Sequence, residues 1–198
     1  MKTNFSIITI NKNNAIGLKA TIESVKKQKI TKFQFEHIII DGKSHDKSKN
    51  IIKKNKKYFS FSQSKKDDGI YNAMNIGIKK AKFDWLIFLN SGDTFCENNT
   101  LKKISAMIEK KPSIYYGNII QTYRREKKIR TPIDEEKLFK IVKSNQIFHQ
   151  GCVISKNLNL KNLYDEKLKI ISDYKFLYNV FNKKKIFKKI NLNIAVVP

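Results

Sequence analysis

Apolar positions change their period along the chain in a regular way. Residues 5–10 (FSIITI) are β-branched and almost wholly apolar, as in a strand covered on both faces. Over residues 15–28, Ile16, Leu18, Ala20, Ile22 and Val25 recur among polar neighbours and predict an amphipathic helix. Residues 35–40 (FEHIII) form a second buried strand, stopped by Asp41-Gly42. A short helix is expected over 47–54 and a weaker strand over 58–62. Gly69 opens a helix whose Ile70, Met74, Ile78 and Ala81 make a core stripe, and residues 85–89 form a fourth strand ending at Asn90-Ser91-Gly92-Asp93. Strand and helix alternate throughout, which predicts an α/β fold with a mostly parallel central sheet flanked by helices.

The pattern then changes. A helix over 100–110 is closed by Lys111-Pro112, and residues 114–123 and 127–131 pair as a hairpin across Arg124-Arg125-Glu126. A helix is expected at 134–142, a strand at 152–155, a helix at 173–181 and a last strand at 190–197. With no internal repeat and no linker, 198 residues are read as one domain.

The charge complicates this picture. Lys and Arg number 41 against 17 Asp and Glu, a formal +24, which suggests a polyanion partner. Only Arg124, Arg125 and Arg130 are arginines, however, and base-reading proteins favour the bidentate arginine fork. No helix-turn-helix, zinc finger or aromatic RNA-binding motif occurs, so nucleic acid is not an expected partner. The mixture of lysine, asparagine and isoleucine also matches an AT-rich genome. An anionic membrane surface or an acidic small molecule stays open. The longest apolar run has five residues, far below the roughly 20 a bilayer span needs. Without an apolar leader, and with Cys96 and Cys152 read as plain thiols, a cytoplasmic protein is expected.

Open α/β sheets bind ligands beyond the carboxyl ends of their strands. Thr9 and Asn11 lie there after the first strand, then Asp41, Ser44 and Asp46 after the second. Asp67, Asp68 and Gly69 follow the third, with Ser91 and Asp93 after the fourth. So many carboxylates at one rim of a basic chain suit a divalent cation that holds a diphosphate. A dinucleotide site would need G-x-G-x-x-G where the chain has Asn11-Lys12-Asn13-Asn14-Ala15, and no P-loop motif exists. Asp41, Asp46, Asp93 and Asp173 could each also serve as turn or cap residues. His37 and His45 read as structural.

Several segments in order, SIITINKNN, IIIDGKSHDKS, DDGIYNAMNIGIKKAKFDWLIFLNSGDTF, FHQGCVISK and YDEKLKIISDYKF, resemble a family 2 glycosyltransferase of the GT-A fold. The likeness covers nearly the whole chain and is strongest to bacterial enzymes that build capsule, lipopolysaccharide or exopolysaccharide. It implies a nucleotide-sugar-binding half over 1–99 and an acceptor-side half over 100–198 with a small C-terminal hairpin region. Thr9, Asn11 and Asp41 would then line the nucleoside pocket, Asp67 and Gly69 would lie beside the nucleotide-sugar, and Asn75 would brace their loop. Asp93 would bind Mn²⁺ or Mg²⁺, with Ser91 where the family's first acid usually stands. His149 and Gln150 would sit near the sugar or acceptor, and Asp173 would be the general base. The implied reaction is inverting transfer from a UDP-sugar to a saccharide or lipid-linked saccharide, at the inner face of the cell membrane. The stretch 183–189 (KKKIFKK) would rest on anionic lipid. A catalytically silent binding module of the same fold is the rival reading.

Overall fold

The computed structural model describes residues 3–29, 33–109, 113–124, 126–132, 147–182 and 187–198. The expected helix at 134–142 and most of the lysine-rich stretch lie outside these residues.

The first half builds a parallel sheet. Strands β1 (Phe5–Asn11), β2 (Phe35–Asp41), β3 (Phe61–Ser64) and β4 (Trp85–Phe88) run together, with β1 between β2 and β4 and with β3 beyond β2. Helices α1 (Ala15–Lys26), α2 (Ser48–Asn55) and α3 (Ile70–Lys80) are the crossovers. Alternation along each strand divides its side chains between the faces. Ile8, Ile10, Ile38 and Ile40 pack with Met74 and Ile78 of α3, whereas Ile39 packs with Leu18, Ile22 and Ile52 of α1 and α2. Both faces are therefore dry, which explains why these strands read as continuous apolar runs.

The second half turns the sheet mixed. Helix α4 (Thr100–Met107) follows a two-residue strand β5 (Thr94–Phe95). The long β6 (Ile114–Tyr123) forms the expected hairpin with β7 (Glu126–Arg130). Strand β8 (Cys152–Ser155) inserts antiparallel between β4 and β6; helices α5 (Lys156–Lys161) and α6 (Ser172–Asn182) and the final β9 (Phe187–Val197) complete the order β3-β2-β1-β4-β8-β6-β9-β5. Strand β9 runs parallel to β6.

Several expectations shift: the helix expected over 100–110 ends at Met107, and the last strand begins at Phe187 rather than at 190. The third strand begins at Phe61 rather than at 58, because residues 56–58 form a tight turn continuing α2. The later register brings Ser64 level with Asp41. Ile70 does not join the core stripe of α3; it is 42% exposed, while Met74 and Ile78 are fully buried.

Candidate active site

Pairing of β1 with β2 sets Asn11 beside Asp41 at the ends of the strands. The Asn11 amide donates to Asp41 Oδ1 at 2.6 Å, and the Ser44 hydroxyl donates to the same oxygen at 2.5 Å. Asp41 Oδ2 accepts the Ser44 N–H and the Ser64 hydroxyl. Burial works against its charge, but hydrogen bonds from Ser44, Ser64 and Asn11 together hold the carboxyl below its usual range. Asp41 has no exposed surface, so it fixes the rim rather than lining it. Thr9 is equally buried, with its hydroxyl 2.9 Å from His37 Nε2, so it does not reach a nucleotide pocket. Asp46 proves to be a cap, accepting the N–H groups of Ala15 and Ser48 at the starts of α1 and α2.

After β4 the chain makes a tight turn, closed by the Asp93 N–H on the Asn90 carbonyl at 2.9 Å. Gly92 sits at φ +112°, where a Cβ is disfavoured, in the third position of the turn. The Asn90 N–H returns the bond to Asp93 Oδ2 at 2.9 Å. Ser91 donates its hydroxyl to Asn11 Oδ1 at 2.7 Å, tying this turn to the first strand end, and Asn14 Nδ2 donates to the Ser91 carbonyl. Asp93 is only 4% exposed, and burial pushes its carboxyl up to about 6 against the opposing pull of His149 and the hydrogen bonds of Asn90 and Gln150.

Because β8 runs antiparallel to β4, its starting end meets the finishing end of β4. The turn His149–Gly151 before β8 thereby reaches the same rim. Asn90 Nδ2 lies 3.3 Å from His149 Nε2, and His149 Nδ1 lies 2.9 Å from Asp173 Oδ2 in the first turn of α6. An Asn90 amide donating at Nε2 leaves the ring proton on Nδ1, directed at Asp173. The Tyr71 hydroxyl of α3 donates to Asp173 Oδ1 at 3.0 Å. Burial raises and His149 and Tyr71 lower the Asp173 carboxyl, with a net shift below the usual range. Asp173 is thus an ionised, doubly held carboxylate that remains partly open, with 25% of its side chain exposed.

A cleft of about 570 Å³ runs along this rim, bordered by Asn11, Lys12, Asn14, Asp67, Asp68, Gly69, Ile70, Asn90, Ser91 and Lys169. It gathers five expected residues or their turn: Asn11, Asp67, Gly69, Ser91 and the Asn90 end of the motif. Asp93, His149, Gln150 and Asp173 stand behind Asn90. Asn75 braces a different loop than expected: it donates to the Tyr164 carbonyl and to Glu166 Oε1, while Asn72 donates to Glu166 Oε2. Sequence reasoning missed Glu166, Tyr71 and Lys169. Two asparagines three apart on one helix, Asn72 and Asn75, were the available sign of a polar clamp on α3.

A cation implied by the fold has one carboxylate, Asp93, and the Asn90 amide oxygen to use. Among the described residues no group of three or more His, Cys, Asp or Glu could hold a metal by itself. The Asp93 carboxylate is buried, and in the same turn Asn90 Oδ1 is buried with no hydrogen-bond partner among the described residues. Both are hard oxygens, the donor type that suits a Mg²⁺ or Mn²⁺ ion completed by ligand oxygens and water.

Comparisons with known proteins bear on the family and the fold. Residues 6–182 match the model for glycosyl transferase family 2. An uncharacterized glycosyltransferase of Mycobacterium tuberculosis is 33% identical over 87% of this chain and 66% of its own length. A PGL/p-HBAD biosynthesis glycosyltransferase of Mycobacterium bovis is 36% identical over 59% of this chain and 46% of its own. The chain therefore spans about two thirds or less of the curated relatives it matches. In structure, residues 1–349 of S. aureus TarS in complex with UDP superpose at a TM-score of 0.77, with 18% identity over 99% of this chain and 60% of that one. That likeness carries the GT-A architecture, and with the family match it fixes the classification: the chain belongs to glycosyl transferase family 2.

Proposed function

We propose that this chain is an inverting glycosyltransferase domain that moves a sugar from a UDP-sugar to a hydroxyl of a lipid-linked or growing saccharide in surface polysaccharide synthesis. The observation that carries the reading is Asp173, an ionised carboxylate gripped by His149 and Tyr71 at the rim where four strand ends converge. The UDP complex of TarS supports the donor class, and the PGL/p-HBAD biosynthesis name of the mycobacterial relative supports a role in a biosynthetic route.

The donor occupies the cleft, with Asn11, Asp67 and Gly69 against its nucleotide and Asp41 holding Asn11 in place from behind. Asp173 takes the proton of the acceptor hydroxyl as that oxygen bonds to the anomeric carbon. The bond from that carbon to the diphosphate breaks, and its electron pair leaves with the phosphate oxygen. Lys12 and Lys169 border the cleft where this charge develops. A divalent cation, Mn²⁺ or Mg²⁺, held by Asp93 would supply Lewis-acid stabilisation of the leaving group. His149 keeps the Asp173 carboxylate turned toward the acceptor, and Gln150 steadies Asp93. In this reading residues 1–99 serve the nucleotide-sugar and 100–198 the acceptor.

Asp173→Asn is expected to lower transfer from UDP-sugars about 10²–10⁴-fold while leaving UDP binding within a few-fold. Asp93→Asn is expected to remove the Mn²⁺-dependent part of UDP binding seen by calorimetry. Unchanged transfer in Asp173→Asn would overturn the assignment. The hydroxyl at Ser91, engaged with Asn11 and the Ile10 carbonyl, leaves the turn one carboxylate and favours a second reading, a binding module without turnover. Tight UDP binding with no transfer to any acceptor would select it.

A further inference from the structure

The loops that frame the cleft carry a second pattern, independent of catalysis. Ile16 in the first turn of α1 is 88% exposed, Ile70 at the start of α3 is 42% exposed, and Ile170 and Ile171 before α6 are 74% and 50% exposed. All four follow the carboxyl ends of strands or lead into α6 at the same rim. Ile70 and Lys169 border one cleft, and Asn14 joins it to a neighbouring depression of about 610 Å³ bordered by Ile16. The same loops expose Lys12, Lys43, Lys47, Lys65, Lys66, Lys167 and Lys169, against the acids Asp46, Asp67, Asp68, Asp165 and Glu166, of which Asp165 is paired with Lys175. Ile171 also holds a left-handed backbone at φ +67°, an outlier for a β-branched residue. The loop that carries it is tied at its neck, where the Asp165 N–H donates to Ser172 Oγ at 2.6 Å and Glu166 is clamped by Asn72 and Asn75. Water alone gives no reason to hold two isoleucines out on such a fixed loop.

We infer that this rim is a docking surface for an anionic lipid bilayer, with the isoleucines entering the headgroup and acyl boundary and the lysines meeting lipid phosphates. Charge complementarity and the spacing of the apolar tips select this occupant. They stand on three separate loops, with lysines between them and only Ile170 and Ile171 adjacent, whereas a protein partner would ask for one contiguous apolar patch. Docking here turns the cleft toward the membrane and so gives the proposed lipid-linked acceptor its approach. The inference rests on that reading for its purpose, but its test uses neither sugar nor nucleotide.

The intact protein is sedimented with vesicles of phosphatidylcholine alone or with 30% phosphatidylglycerol, at low and high salt. Binding is expected only with the anionic lipid, weakened by salt, and reduced at least tenfold in Ile16→Glu and in the double variant Ile170→Glu, Ile171→Glu. Ile129→Glu on the exposed β6–β7 hairpin is expected to bind as the parent does, and thermal melts verify that all variants fold. Equal binding to neutral vesicles, or full binding by the rim variants, would overturn the inference. So would loss of binding on replacing the lysines of 183–185 alone. Failure of UDP binding in the same preparation would defeat the proposed function and leave this result standing.

Discussion

His37 shows how a polar side chain in a buried strand shapes stability. It is 2% exposed, bonded to Thr9 Oγ1, with the Phe59 ring edge-on at 5.5 Å. Burial alone pushes its imidazole down to about 3, so it stays neutral in the folded protein at ordinary pH. The unfolded chain takes a proton near 6.5, so the folded state binds fewer protons between those values. The stability His37 permits is complete above pH 6.5 and drains away as pH falls toward 3, at about 1.4 kcal/mol per pH unit. Between pH 7 and 4.5 the parent should lose roughly 2–3 kcal/mol more than His37→Gln, whatever the variant's stability at pH 7. Urea titrations at the two pH values measure this difference, and parallel losses would refute it. The same residue marks a limit of legibility. Thr9 was legible as a polar residue near a strand end, but its hydroxyl is taken by His37, which lies diagonally across the ladder, two residues before its partner Ile39. Asp41 and Asp93 were legible as polar groups after apolar runs, whereas Asp173 was legible only through the family resemblance. Glu166 was not, because its partners Asn72 and Asn75 lie about ninety residues away.

Secondary structure in the first half could be read from periodicity because each βαβ unit is local in sequence. The second half depends on pairings between distant segments: β8 enters between β4 and β6, and β9 pairs with β6. No period announces such an insertion, nor the two-residue β5 or the short α5. Glycines mark where these elements crowd. A Cβ on Gly117 would stand 2.6 Å from the Leu192 carbonyl oxygen of β9, at a register shift in the β6–β9 ladder. A Cβ on Gly151 would stand 2.8 Å from the Gly117 carbonyl oxygen and 3.1 Å from Ile119 Cγ2. Backbone cannot yield as a side-chain tip can, so Gly151→Ala must lift the turn that carries His149 and Gln150. We expect a loss of about 1–3 kcal/mol in stability. Transfer should fall further than that loss explains, with kcat reduced and UDP binding kept, because the displaced turn holds Asp173 rather than the nucleotide. Steady-state kinetics beside denaturation curves check this; a variant less stable but fully active would separate the turn from catalysis.

At the scale of the molecule, the charge of +24 is an energetic load as well as a clue to partners. Four lysine–carboxylate ion pairs occur between described residues, each binding a single lysine at a partly exposed position, where a pair contributes about 0–1 kcal/mol. With 41 basic residues against 17 acidic ones, repulsion among the lysines must outweigh these attractions. Like charges spread over a compact surface favour the expanded chain, and salt relieves them by shortening the Debye length from about 30 Å at 0.01 M to about 8 Å at 0.15 M. Most proteins with balanced charge lose ion-pair energy in salt; this one should gain stability. We expect the melting midpoint to rise by roughly 3–6 °C between 10 and 200 mM KCl, equivalent to about 1–2 kcal/mol for a domain of this length. Potassium chloride and choline chloride should act alike if screening is the cause, whereas a rise confined to phosphate or sulfate would indicate anions bound at particular lysines. A midpoint that falls with KCl would mean that the acids, although few, are placed well enough to neutralise the surface locally. In that case the lysine rim around the cleft would also carry less net charge than its composition implies, and its attraction to anionic lipid would weaken with it.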